Sequence, residues 1–116
     1  MTSHGLDPHD LLPLPPVTFH ILAAVADGDR HGYAIIQEVA ERTDGELKIQ
    51  AGTLYRSIQR MLEQGLIAES HTGEIDARRR YYHITPFGRA VAQAEARRLA
   101  QMVKLARTAG FAPGRA

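Results

Sequence analysis

Three short blocks in fixed order constrain this chain more than anything else in it. They are His31-Gly32-Tyr33, then Gly52-Thr53-Leu54-Tyr55 running on to Gly65-Leu66-Ile67, then Arg78-Arg79-Arg80-Tyr81-Tyr82 closing on Ile84-Thr85. The first falls at a helix start, the second along an amphipathic helix, the third on a strand. In that order they spell a helix-turn-helix followed by a basic two-stranded wing, a plan that lays one helix in a DNA major groove and a cationic ribbon beside it.

Hydrophobic periodicity supplies the elements. From about Pro16 to Ala26, Val17, Ile21, Leu22 and Val25 recur at helical spacing, and Asp27-Gly28-Asp29 supplies a stop. A second helix starts near His31-Gly32 and runs to about Thr43, with Tyr33, Ile36, Val39 and Ala40 as its expected buried stripe and Ile35 widening it. Glycine there permits a tight entry and the tyrosine adds apolar area with a polar end, a structural role for the block, to which direct contact of His31, Gly32 or Tyr33 with a ligand or DNA is the alternative. The third helix, from about Gly52, has the clearest period. With each residue advancing about 100°, Leu54, Ile58, Met61 and Gly65 share one arc and Arg56, Gln59, Arg60 and Glu63 the opposite one. Thr53 and Tyr55 flank them.

After Gly65 the period shortens to two. Leu66 to His71 and Arg78 to Thr85 read as paired strands about a turn from Thr72 to Ala77, with Tyr82 and Ile84 on one face and Tyr81 and His83 on the other. Thr85-Pro86 restarts helix, threonine as cap and proline in the first position, and the helix continues to about Thr108. At the other end, Asp7-Pro8 starts a short helix that Pro13, Pro15 and Pro16 prevent from continuing. The expected fold is mainly α with a small two-stranded β wing. Its parts are an N-terminal arm over 1–14, a winged helix-turn-helix over 15–85, a dimerisation helix over 86–109 and a tail over 110–116.

The formal net charge of +1 conceals a division. Residues 1–76 hold 5 Lys and Arg against 12 Asp and Glu, a balance of −7, whereas residues 77–116 hold 9 against 1, a balance of +8. Polyanion binding must therefore come from local patches rather than from the whole surface. Two such patches stand out. Arg56, Gln59 and Arg60 share the exposed face of the third helix, where arginine forks onto guanine and glutamine onto adenine. Arg78, Arg79 and Arg80 at the wing base suit phosphates or a minor groove, with one of them expected to pair with an internal acid. Two roles are open to Tyr55: packing beside the core, or a hydroxyl on a phosphate.

Ala92, Ala96, Leu99, Val103 and Ala106 step alternately by four and three, with Met102 beside them, a heptad seam of about two repeats. An alanine-rich seam buries little area and does not hold a helix alone, so its expected partner is a second copy of the chain.

Other classes lack their residues. A chain of 116 residues with 44% hydrophobic content builds one ordinary core. Without cysteine there is no disulfide, no thiolate nucleophile and no Cys-based zinc site. The six histidines have no partner three or four residues away, and neither a phosphate-cradling glycine loop nor a nucleophile elbow occurs, so no catalytic role and no metal or other cofactor is expected. No apolar run approaches the roughly 20 residues of a membrane span. No basic residue precedes Arg30, so the cationic start of a signal peptide is missing and a cytoplasmic location is expected. The rival to DNA binding is a winged helix used only for protein contacts, because fold does not fix function.

The ordered blocks His31-Gly32-Tyr33, Gly52-Thr53-Leu54-Tyr55, Gly65-Leu66-Ile67 and Arg79-Arg80-Tyr81-Tyr82-His83-Ile84-Thr85, ending at Gly88, closely resemble the PadR family of bacterial transcriptional regulators, over roughly residues 14–90. The resemblance implies an N-terminal winged helix-turn-helix, a C-terminal dimerisation helix of the compact kind and repression at a palindromic double-stranded DNA operator, with release by a small-molecule effector left open. The chain departs from the pattern at Gln50-Ala51, where Ser-Pro is common, which removes a strong cap and a rigid first position from the third helix. Leu62 stands where an acidic residue is common. With no Trp, the stacking of planar ligands between tryptophans in some drug-binding relatives has no counterpart here.

Overall fold

A computed structural model describes residues 7–70 and 79–111. A one-turn 3-10 helix, Pro8–Leu11, is followed by α1 (Pro16–Ala24), β1 (Arg30–His31), α2 (Gly32–Arg42), α3 (Ala51–Glu63), β2 (Ile67–Ser70), β3 (Tyr81–Ile84) and α4 (Pro86–Thr108). Each expected helix forms. The sheet differs from expectation, having three strands in the order β1-β3-β2, all antiparallel. A strand of only two residues is too short to show a period, and pairing supplied by β3 overrides the local signal.

Ile21, Leu22, Ile35, Leu54, Met61 and Leu66 form the centre of the core, drawn from α1, α2, α3 and the entry to β2. The α3 stripe Leu54, Ile58 and Met61 is buried as its period requires, and the half-buried Leu62 packs beside it. In α2 the stripe is rotated from the expected one. Gly32, Ile35 and Val39 are buried, Ile36 and Ala40 are half-buried, and Tyr33 is 62% exposed. Tyrosine's apolar area assigned it to the core, but the position of Gly32 against α3 turns the next residue outward. A Cβ on Gly32 would fall on the Tyr55 hydroxyl and close to Leu54, so a side chain there would have to displace Tyr55 from its place over α2.

The open C-terminal carbonyls of α1 are met by arginine side chains. Arg30 Nε donates to Ala24 O at 2.6 Å, Arg42 Nη1 to Ala23 O at 2.9 Å and Arg89 Nη2 to Ala26 O at 2.8 Å. These cations face the negative end of the helix dipole and leave no terminal carbonyl without a donor at those positions. Glu38 binds two of them, with Arg42 Nε at 2.6 Å and Arg30 Nη2 at 3.5 Å.

Thr85 joins the wing to α4. Its backbone N–H donates to Leu66 O at 3.1 Å, its hydroxyl to Gly65 O at 2.6 Å, and the same oxygen accepts the Gly88 N–H at 2.9 Å. Gly88 lies so close to the Leu66 carbonyl that a Cβ there would overlap it. The first half of α4 is thereby docked, with Val91, Ala94 and Glu95 buried, and residues 8–11 lie along it. Glu95 is 2% exposed and accepts from Arg98 at 2.7 and 3.0 Å and from the Leu14 N–H at 3.3 Å. The Arg98 guanidinium holds this carboxyl below its ordinary range against the opposing cost of burial. Beyond Leu99 the helix stands in solvent.

Candidate nucleic-acid interface

The polar face of α3 exists because its other face is fully used. With Leu54, Ile58 and Met61 buried, the helical period leaves Arg56, Gln59, Arg60 and Glu63 exposed. Only loose contacts engage them: Arg56 Nη2 to Thr53 Oγ1 at 3.4 Å and Gln59 Nε2 to Glu63 Oε2 at 3.4 Å. These geometries leave the guanidinium and amide groups with donors to spare. Thr53 is half-buried and Tyr55 is 51% exposed. Gln50, the cap residue, makes no side-chain cap bond to α3.

The wing arginines sit just ahead of β3 rather than within it, and their partners differ. Arg80 Nη1 lies 3.2 Å from Glu69 Oε2, the internal acid expected for one member of the run. Arg79 Nη1 lies 2.8 Å from His31 Nε2. Arg78 falls outside the described residues, as does the turn from Thr72 to Ala77.

Pairing of β1 with β3, Arg30 opposite Tyr82 and His31 opposite Tyr81, brings the start of α2 beside the wing base. His31 caps α2, its Nδ1 accepting the Ala34 N–H at 3.2 Å, and its ring meets Tyr81 edge-on at 5.3 Å. A cleft of about 380 Å³ results, walled by Gly32, Tyr33 and Tyr55 on the helix side and by Arg79, Arg80 and Tyr82 on the sheet side. Of the residues singled out from the sequence, the cleft gathers Tyr55, Arg79 and Arg80, whereas Thr53, Arg56, Gln59 and Arg60 lie along α3 outside it. Tyr33 was missed. The signal was an exposed turn beside a glycine, hidden by counting tyrosine as core.

On α4, Ala92 is half-buried and packs against the core of its own chain, and Ala106 is half-buried. Ala96, Leu99, Met102 and Val103 are exposed, joined by Leu105 and Phe111, which the seam reading left out. No described helix is long and apolar enough to cross a membrane. Among the described residues no group of three His, Asp or Glu side chains is placed to hold a metal ion.

A buried-face helix presenting a polar arc, two supporting helices and a hairpin beside it define a winged helix-turn-helix protein. Residues 21–94 match the model of the transcriptional regulator PadR-like family, and the chain belongs to that family. It is 34% identical over 89 residues to the transcriptional regulator Rv3488 of Mycobacterium tuberculosis, covering 76% of this chain and 79% of that one. It is 39% identical over 72 residues to an uncharacterised protein of Lysinibacillus sphaericus, spanning 60% of this chain and only 65% of that protein. Among solved structures, a transcriptional regulator from Clostridium thermocellum superposes with a TM-score of 0.69 at 28% identity, over 79% of this chain and 90% of the other. Bacillus subtilis PadR, solved in complex with operator DNA, shares the fold at a TM-score of 0.60 and 19% identity, over 75% of this chain and 47% of that one.

Proposed function

We propose that this protein is a homodimeric, sequence-specific repressor that occupies an inverted-repeat operator in double-stranded DNA within the cytoplasm. The observation that carries the reading is the two-sided α3, whose stripe of Leu54, Ile58 and Met61 is buried while its opposite arc offers Arg56, Gln59 and Arg60 to solvent. In this reading α3 enters the major groove, with Arg56 and Arg60 forking onto guanines and Gln59 onto adenine, and Thr53 and Tyr55 at its flanks. Arg78, Arg79 and Arg80 follow the backbone or the minor groove from the wing. Family membership and the operator complex of the Bacillus subtilis relative support it.

The dimer is formed along α4, from Ala92 and Ala96 through Leu99, Met102, Val103 and Ala106. Support comes from the run of exposed apolar side chains on its outer half. Two-fold symmetry then sets two recognition helices about 34 Å apart, one DNA turn, and makes the operator an inverted repeat. Release by a small-molecule effector belongs to the same reading, with the apolar groove of about 180 Å³ between α1 and α4, walled by Phe19, Leu22, Ala92 and Ala96, as its seat.

The deciding experiment is binding-site selection with purified protein, followed by titration of the selected duplex at several salt concentrations. A single motif with two-fold symmetry, whose affinity falls steeply with salt, is the expected result. A protein-contact module would enrich no motif and give no saturable shift.

A further inference from the structure

We propose that the cleft between the start of α2 and the wing base is a clamp for one phosphate of the DNA backbone, closed by the hydroxyls of Tyr33 and Tyr55 and the guanidinium groups of Arg79 and Arg80. The proposal rests on the DNA-binding reading above and adds a residue, Tyr33, and a contact that fixes α2 and the wing to the same point of the duplex.

The chemistry of the walls is one-sided. Tyr33, Tyr55, Arg79 and Arg80 all present donors, and among the described residues no carboxylate walls the cleft. Glu69 is the ion-pair partner of Arg80 and is not one of the described wall residues. Neither tyrosine hydroxyl has a hydrogen-bond partner among the described residues. Two aromatic rings 62% and 51% exposed, one turn from a core that has room for neither, are poorly explained by packing. Each becomes economical if its hydroxyl has an anionic partner, because hydrogen bonds to charged groups are about twice as strong as neutral ones.

The backbone is shaped to the same end. Gly32 is bare where a Cβ would strike the Tyr55 hydroxyl, so Tyr55 leans over the first turn of α2. That turn starts at the same opening, with Gly32 and Tyr33 on its wall and the Ala34 amide capped by His31. The two-residue strand β1 holds this turn against β3, next to the point where Arg79 and Arg80 enter. Arg79 Nη1 lies 2.8 Å from His31 Nε2 at the wall. A phosphodiester oxygen at the mouth would meet hydroxyls from two helices and charge from the wing, and none of these contacts carries base identity.

Tyr33→Phe removes one hydroxyl from an exposed side chain and leaves the fold alone. It is expected to lower affinity for the selected operator about tenfold, by equal factors on cognate and mutated operators. The position is found with duplexes in which single phosphates are replaced by neutral methylphosphonates, one at a time. Wild-type protein loses affinity at one position per half-site beside the wing. In Tyr33→Phe the penalty at that position shrinks while the penalties elsewhere stay. Tyr33→Phe binding as wild type, a loss that depends on base sequence, or an unchanged penalty map each overturns the clamp while the DNA-binding reading stands. Wild-type protein that binds no duplex at all overturns both.

Discussion

The outward arc of α3 and the outer half of α4 both leave helix surface in water, and they differ in kind. On α3 Leu54, Ile58 and Met61 are buried, and what remains outside is mainly polar: two guanidinium groups, the Gln59 amide, the Glu63 carboxylate and the Tyr55 phenol. On outer α4 the exposed residues include Leu99, Met102, Val103 and Leu105, mixed with Arg and Lys that cover no neighbour. A polar arc on a saturated helix suits a hydrated, charged partner, and an apolar one suits a partner that excludes water. One chain thus carries two surfaces of different docking chemistry, one on α3 and one on outer α4.

The sharpest way to break this comparison is to put a charge into the apolar face. Leu99→Asp is expected to weaken self-association by on the order of a hundredfold, since an unpaired carboxylate must be buried or the dimer given up. Sedimentation would report monomer at micromolar concentration, with far-ultraviolet circular dichroism unchanged. A variant that stays fully dimeric would place the interface on another face.

Truncating the polar face should do something different. Arg56→Ala and Arg60→Ala are each expected to cost about 1–3 kcal/mol of discrimination between the operator and its point variants, with the dimer intact. Wild-type preference in both variants would mean that α3 does not read bases through these residues. Arg79→Ala combined with Arg80→Ala should act more evenly, weakening all duplexes and flattening the slope of log affinity against log salt by about 1–2. A changed motif with an unchanged slope would make the wing a base reader.

The smallest effect expected concerns the border between docked and free α4, where Glu95 sits. Its carboxyl titrates below its ordinary value of 4.5 in the folded chain, because Arg98 favours the charged form. The ion pair therefore stabilises fully above pH 4.5, and that contribution disappears as pH falls through the lowered folded value. Glu95→Gln should cost about 1 kcal/mol at neutral pH and remove part of the acid sensitivity, so wild-type and variant melting temperatures converge as the pH falls through that lowered value. Parallel curves would mean that the pair contributes nothing.

Most of the helical frame was legible because the signals were local. The α3 period and the Thr85-Pro86 cap each name an element without help from the rest of the fold. Misread features depended on distant partners. β1 exists only through β3, Tyr33 is turned out by the approach of α3 to Gly32, and Glu95, the single acid of the basic last third, is buried through Arg98 and the Leu14 amide. Arg30, Arg42 and Arg89 also look like any other surface cations in sequence, and only the fold shows them holding the end of α1.

Thr85 has a mechanical consequence. Its hydroxyl and amide tie the end of α3, the start of β2 and the first turn of α4 into one joint with no linker residue between wing and rod. A 23-residue helix is a lever of roughly 34 Å at about 1.5 Å per residue, so a tilt of about 5° at the joint sweeps its far end by about 3 Å. In the proposed dimer, a shift of that size where two rods cross would swivel each reading head on its groove. Helix crossing angle and DNA phasing would then be geared together, and a wedge of one methyl group at the crossing would turn the gear.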